Sequence, residues 1–267
     1  MNRMDGKVCV VTGATQGLGA AIARRLAAAG AAGVVVTGRN TARGQAVAES
    51  LPCPAHFVQA DLAEVEDCRR VIAEADRHFQ RLDVLVNAAA LTDRGTILDT
   101  SPDLFDRMFA TNVRGPFFLM QDAIRLMIRD GIAGAVLNIG STSALAGQPF
   151  ISAYCASKGA LATLTANTAF AVMGNRIRVN QLNPGWMATD HERALQLAES
   201  GDPDWEAKAR AGLPFGRLID PDEVARAVNY IVSDDAGLMT GAIVNFDQSV
   251  WGGFAAGPPV PHGPMAL

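Results

Sequence analysis

The chain is poor in cysteine, aromatic residues and positive charge, and each shortage removes a class of protein. Its four cysteines, Cys9, Cys53, Cys68 and Cys155, form no CxxC pair and show no metal-ligand spacing. That argues against a disulfide scaffold or a zinc module and for free thiols. With no secretory leader read at the start, the compartment expected is the cytoplasm, and no metal is expected. Twenty-three Lys plus Arg against 27 Asp plus Glu leave a net charge of −4. No basic excess is present for nucleic acid or an anionic membrane surface. No apolar run reaches the ~18 residues of a membrane span. Even the quietest stretch, Gly134 to Asn175, is interrupted by Gln148, Pro149 and many Ser, Thr and Asn.

Apolar residues make up 49% of the 267 positions and charged ones 19%, which excludes a disordered chain and allows a sizeable core. No repeat and no linker occurs before residue 250, so 1–251 reads as a single domain. The remainder, 252–267, is half Gly and Pro. It reads as a loose terminus or as an arm across a subunit interface. Short β-branched runs predict strands at Lys7–Thr12, Val34–Thr37, Ala55–Ala60, Val84–Asn87, Ala135–Ile139, Arg178–Leu182 and Ala242–Phe246. Helical segments alternate with them near 17–29, 41–50, 64–79, 102–130, 151–173 and 221–233. The expected class is α/β: a doubly wound, Rossmann-type parallel sheet of seven strands with helices on both faces.

Directly after the first strand comes Thr12-Gly13-Ala14-Thr15-Gln16-Gly17-Leu18-Gly19, opening into an alanine-rich helix. Glycines let the backbone approach a diphosphate, and the helix start supplies free N–H groups. NAD sites place an acid about 20 residues beyond the last glycine. Here that position is Gly38, followed by Arg39-Asn40, and no Asp or Glu occurs from Gly6 to Ala48. A guanidinium suits a 2′-phosphate and a carboxylate repels it, so NADP is favoured, with NAD possible.

Between Gly134 and Asn175 the one charge is Lys158, in Tyr154-Cys155-Ala156-Ser157-Lys158, and Ser141 lies 13 residues before the tyrosine. At a spacing of four on a helix, phenol and ammonium share a face. TGATQGLG, Asp61 in ADL, Asn87-Ala88-Ala89-Ala90, Asn112 in TNVRGPF, Ser141, YCASK and Asn183-Pro184-Gly185 together resemble the short-chain dehydrogenase/reductase family, in order along nearly the whole chain. The resemblance implies Tyr154 as general acid/base, Ser141 at the reacting oxygen and Lys158 assisting both proton transfer and ribose binding. It further implies Asp61 and Leu62 beside the adenine, and Asn87, Ala88 and Ala89 beside the adenosine ribose. Met187 and Thr189, after Pro184 and Gly185, would meet the carboxamide. Two departures are Ala90, where the family commonly has glycine, and Asp247-Gln248-Ser249 in place of Asp-Gly-Gly.

A cation about 4 Å from a phenol contributes on the order of 4 kcal/mol at an effective dielectric of ~20, so Lys158, with the oxidised nicotinamide nearby, is expected to lower the Tyr154 pKa. Pro116 has no N–H to return to Asn112, so a kink is expected there, freeing the Asn112 carbonyl for a proton-relaying water.

Specificity is expected from Trp186 to about Phe215, read as two short helices forming a lid. From Ala188 to Phe215 acids outnumber bases six to three. Ser141, Ser143, Gln148, Tyr154, Trp186 and His191 are the candidate substrate contacts, with Trp186 suited to a sugar face. The leading reading is an oxidoreductase for a secondary alcohol or ketone, with a sugar or polyol as one possibility. A 3-oxoacyl thioester reductase and a non-catalytic cofactor-binding regulator are the alternatives, and an epimerase is disfavoured because such chains run longer. Phe117, Phe118, Leu119, Met120 and Phe170 are expected to be buried between subunits of a homo-oligomer, a tetramer or dimer.

Overall fold

The computed structural model describes residues 3–145 and 147–250; the tail 252–267 read from the sequence lies outside them. Seven strands form one sheet: β1 (Val8–Val11), β2 (Gly33–Gly38), β3 (Ala55–Gln59), β4 (Val84–Asn87), β5 (Ala135–Ile139), β6 (Arg178–Pro184) and β7 (Ile243–Phe246). Their order is β3-β2-β1-β4-β5-β6-β7 and every pairing is parallel. All seven coincide with predicted strands, because strands covered on both faces read as unbroken apolar runs. The order reverses between β1 and β4. The crevice at their carboxyl ends is where such sheets bind ligands.

Helices cover both faces. Helices α1 (Gly17–Ala28), α2 (Thr41–Glu49) and α9 (Pro221–Val232) lie on one side, where Ile22, Leu26, Val47, Val224 and Val228 join a core with Val34 and Val36. On the other side lie α3 (Val65–Phe79), α5 (Gly115–Arg129) and α6 (Ser152–Val172), with Val71, Ile72, Met120, Met127 and Val172 packed on Val10 and Val35. Helix α4 (Pro102–Phe109) precedes α5, and α7 (Asp190–Ser200) and α8 (Trp205–Ala211) form the two short helices expected between 186 and 215.

The single helix expected over 102–130 is divided. Between α4 and α5 the chain makes a π turn at Ala110–Arg114, closed by the Gly115 N–H on the Ala110 carbonyl. Pro116, in the first turn of α5, has no N–H to give to Asn112 four residues back or Thr111 five back, so the extra residue of a π turn is accommodated there. Leu119 and Met120 correct the interface expectation: they are 0% and 2% exposed inside this chain's own core. They share the sheet-facing stripe of α5 with Ala123 and Met127. Phe117 and Phe170 are 44% and 77% exposed.

Candidate active site

Two adjoining clefts open at the carboxyl ends of the strands and share Thr92, Tyr154, Met187, Thr189 and His191. The first, about 530 Å³, runs along the glycine loop. Gly13 has φ +63°, and a Cβ there would stand 2.6 Å from the Ala89 Cα. A Cβ on Gly19 would stand 2.4 Å from the Gly13 carbonyl oxygen. Side chains at either position would fill the turn that brings the backbone to the cleft. Gln16 caps α1 without a side-chain bond to its first-turn N–H groups, leaving them for an anion. These residues fit a dinucleotide diphosphate.

Of the expected cofactor residues, Gly13, Thr15, Gln16, Gly17, Leu18, Gly19, Arg39, Asp61, Leu62, Ala88, Ala89, Tyr154, Lys158, Met187 and Thr189 line this cleft. Ala90 does too, so the missing glycine leaves a small wall. Four residues do not line it. Asn40 caps α2, accepting from the Arg43 N–H at 2.9 Å. Asn87 is buried in the sheet, giving its Nδ2 to Asn138 Oδ1 at 2.8 Å while its own Oδ1 is unpaired. Pro184 ends β6, and Gly185 faces the second cleft. Arg43, not singled out from the sequence, stands beside Arg39 in the lining, with its guanidinium on Gln16 Oε1.

At the junction of the clefts, Tyr154 and Lys158 project from α6 one turn apart. The ammonium lies 5.6 Å from the Tyr154 ring centroid and donates to the Ile139 carbonyl at 2.8 Å. Lys158 is 2% exposed, and removal from water lowers its pKa to about 8. Burial also pushes the Tyr154 hydroxyl up to about 12, with its hydrogen bond to Ser141 acting in the opposite direction. In this structure burial of the phenol outweighs that hydrogen bond, so the hydroxyl stands above its ordinary value, opposite to the direction expected. Ser141 Oγ donates to Ser143 Oγ at 3.0 Å, and Ser143 Oγ donates in turn to Gln148 Oε1. A chain of hydrogen bonds thus runs from Ser141, beside Tyr154, along the second cleft to Gln148.

Asn112 lines neither cleft. It is 1% exposed, and its side chain ties the loop after β4 to α6: it accepts from the Leu91 N–H at 2.8 Å and donates to the Leu91 carbonyl at 2.9 Å and Ser157 Oγ at 3.1 Å.

The second cleft, about 790 Å³, is lined by all six expected substrate residues: Ser141, Ser143, Gln148, Tyr154, Trp186 and His191. It also holds Arg94, Glu192, Gln196 and Glu199, of which the sequence pointed only to Glu192 and Glu199, as acids of the lid. Their signal was positional: 192, 196 and 199 recur at one helical face of α7. Trp186 Nε1 donates to Glu192 Oε1 at 2.7 Å, and Gln196 Nε2 donates to the same oxygen at 2.8 Å. Arg94 makes a two-pronged ion pair with Glu199, at 2.9 and 3.1 Å, and lies over the Phe150 ring. This pair fastens α7 across the cleft to the loop after β4. At the other end of the lid Gln248, the residue replacing a family glycine, accepts from the Phe215 N–H at 2.9 Å and donates to the Arg217 carbonyl at 2.8 Å.

A family model described as enoyl-(acyl carrier protein) reductase matches residues 13–250. The chain belongs to the short-chain dehydrogenase/reductase family. An oxidoreductase of Methylorubrum extorquens is 35% identical over 94% of this chain and 100% of its own length. Galactitol 2-dehydrogenase of Agrobacterium fabrum is 28% identical over 93% of this chain and 99% of its own. The solved L-sorbose reductase of Gluconobacter frateurii, in complex with NADPH and L-sorbose, superposes with a TM-score of 0.89 at 25% identity, covering 95% of this chain and all of that one. As a short-chain dehydrogenase/reductase the protein is an oxidoreductase acting on CH–OH groups, with the family's Ser, Tyr and Lys positions brought to one junction.

Proposed function

We propose that the protein interconverts a secondary alcohol of a polyol or sugar with the corresponding ketone, using NADP(H). The observation that carries this reading is the second cleft: hydroxyl, amide, imidazole and carboxylate groups from Ser143, Gln148, His191, Glu192 and Gln196 surround Tyr154, with the Trp186 indole beside them. A polyhydroxylated substrate meets many donors and acceptors there, and an indole offers a face for a sugar's C–H groups. The likeness to enzymes named for galactitol and L-sorbose agrees with it.

Bound in the first cleft, the nicotinamide would supply the hydride acceptor or donor. The first-turn N–H groups of α1 would hold the diphosphate, and Arg39 and Arg43, both at the lining, would hold a 2′-phosphate. Ser141 Oγ would hold the reacting oxygen against Tyr154. In oxidation the Tyr154 oxygen takes the hydroxyl proton, and in reduction it returns a proton to the carbonyl oxygen. Lys158, protonated, favours the Tyr154 phenolate, which is the base in oxidation and is left behind when the proton is given up in reduction. The Asn112 carbonyl, four residues before Pro116, would pass the proton outward through water. We also propose that the protein works as a homo-oligomer on a small-molecule substrate in the cytoplasm.

A 3-oxoacyl thioester is the second reading, favoured by the description of the matching family model. The lid that crosses the cleft is acidic, with Glu192 and Glu199 at the lining, and that charge disfavours anionic carriers.

The test is steady-state turnover of ketohexoses, polyols and 3-oxoacyl thioesters with NADPH and NADH, in wild type and Arg39→Ala. The reading expects a ketohexose or polyol to be turned over best and the variant to raise the KM for NADP(H) selectively. Preferred turnover of the thioester, or an equal change in KM for both coenzymes, would overturn it.

A further inference from the structure

We propose that His56, Glu74 and His78 form a binding site for a divalent cation of the zinc class, clipping the edge strand β3 to α3 at the end of the sheet away from the active site. Strand β3 is one of the two edge strands of the sheet. His56, two residues before Val58 and therefore on the same face, points towards the α3 side, where Val58 packs with Val71 and Ile72. On α3, Glu74 and His78 stand one turn apart. The topology thus brings together three donors that no local spacing in the sequence reveals.

The spacing between the imidazoles and the carboxylate suits a shared metal better than a direct hydrogen bond. Glu74 Oε2 lies 3.5 Å from His56 Nε2 and 3.4 Å from His78 Nε2, longer than the usual 2.7–3.2 Å of an N–H···O bond. A tetrahedral centre about 2.0–2.2 Å from each ligand separates its ligands by about 3.3–3.5 Å. All three donor atoms lie within 4.8 Å of one another; the two imidazole rings are stacked, their centroids 3.6 Å apart and their planes tilted by 32°, and would splay to present both lone pairs to one ion. Two imidazoles and one carboxylate are a borderline-soft set that favours zinc, cobalt, nickel or copper over magnesium or calcium.

Arg77 contacts His78 Nε2 at 2.9 Å; because a guanidinium only donates, that nitrogen presents its lone pair. The same guanidinium pairs with Glu74, so it is the present counter-cation of the cluster. Arg77 is 65% exposed and can swing into solvent when a metal takes its place.

The experiment is titration of the chelator-stripped, full-length protein with Co²⁺, read by visible absorption, then competition with Zn²⁺. The proposal expects one equivalent, bands of a tetrahedral nitrogen–oxygen site without thiolate charge transfer, and a Zn²⁺-dependent rise in Tm. His78→Ala and Glu74→Gln should each abolish the saturable transition, whereas Arg77→Ala should tighten binding several-fold. Absence of stoichiometric binding, binding unchanged in His78→Ala, or affinity unchanged or weakened in Arg77→Ala would overturn it.

Discussion

Lys158 is the largest side chain buried almost completely in the described structure, and no carboxylate faces it among the described residues. Lowering its pKa from 10.5 to about 8 costs the protonated form about 3 kcal/mol. Part of any gain from removing the charge is offset by loss of the hydrogen bond to Ile139. Lys158→Met should therefore be more stable than wild type at pH 7, by about 1 kcal/mol, while losing activity. The pH dependence follows from proton counts. Between about 8 and 10.5 the unfolded chain holds more protons at this site than the folded one, so wild-type stability from this group rises with pH. The advantage of the variant should then be full below pH 8 and gone by about 10.5, as chemical denaturation at the two pH values would show. A variant less stable at pH 7 would contradict the cost assigned to the buried charge. Tyr154, Lys158 and Ser141 were legible from the motif, but the direction of the Tyr154 shift was not. Coulomb attraction can be argued from a spacing of four, whereas desolvation and the hold of the Ile139 carbonyl on Lys158 depend on the fold around them.

At the scale of elements, the lid does most to shape the substrate cleft. The helix α7 is capped by Thr189, whose Oγ1 accepts the Glu192 N–H at 3.1 Å, and is fastened by Arg94–Glu199. That pair is partly exposed, so its contribution is modest. Glu199→Gln should loosen the lid and raise substrate KM about two- to five-fold with kcat little changed, matching about 0.5–1 kcal/mol. An unchanged KM in steady-state kinetics would show that the pair does not hold the closed cleft. The strands were legible almost residue by residue because burial on both faces leaves unbroken β-branched runs such as VVV and VLV. The division of the 102–130 helix was only half legible: Pro116 signalled a disturbance, but one proline cannot distinguish a kink from a π turn. The working face of α7 was missed because acidic residues on a short helix also read as a solvated surface.

Over the whole molecule, the −4 charge is unevenly distributed: Arg39 and Arg43 stand at the cofactor cleft and an acidic lid covers the other. Exposed Phe117 and Phe170, at 44% and 77%, lie on α5 and α6 uncovered by the described residues, as an association surface would. Light scattering coupled to gel filtration should give a dimer or tetramer, and Phe170→Glu should shift it towards smaller species; a monomer in wild type would contradict this assignment. The central claim concerns proton transfer at the junction of the clefts, and one comparison tests it directly: NADPH oxidation driven by a ketohexose in wild type and Tyr154→Phe. The account predicts wild-type turnover and a loss of about 10²–10⁴-fold in kcat for the variant, with Tm and NADPH affinity retained. Turnover in Tyr154→Phe equal to wild type, or no wild-type turnover with any ketose, polyol or other carbonyl compound, would contradict it.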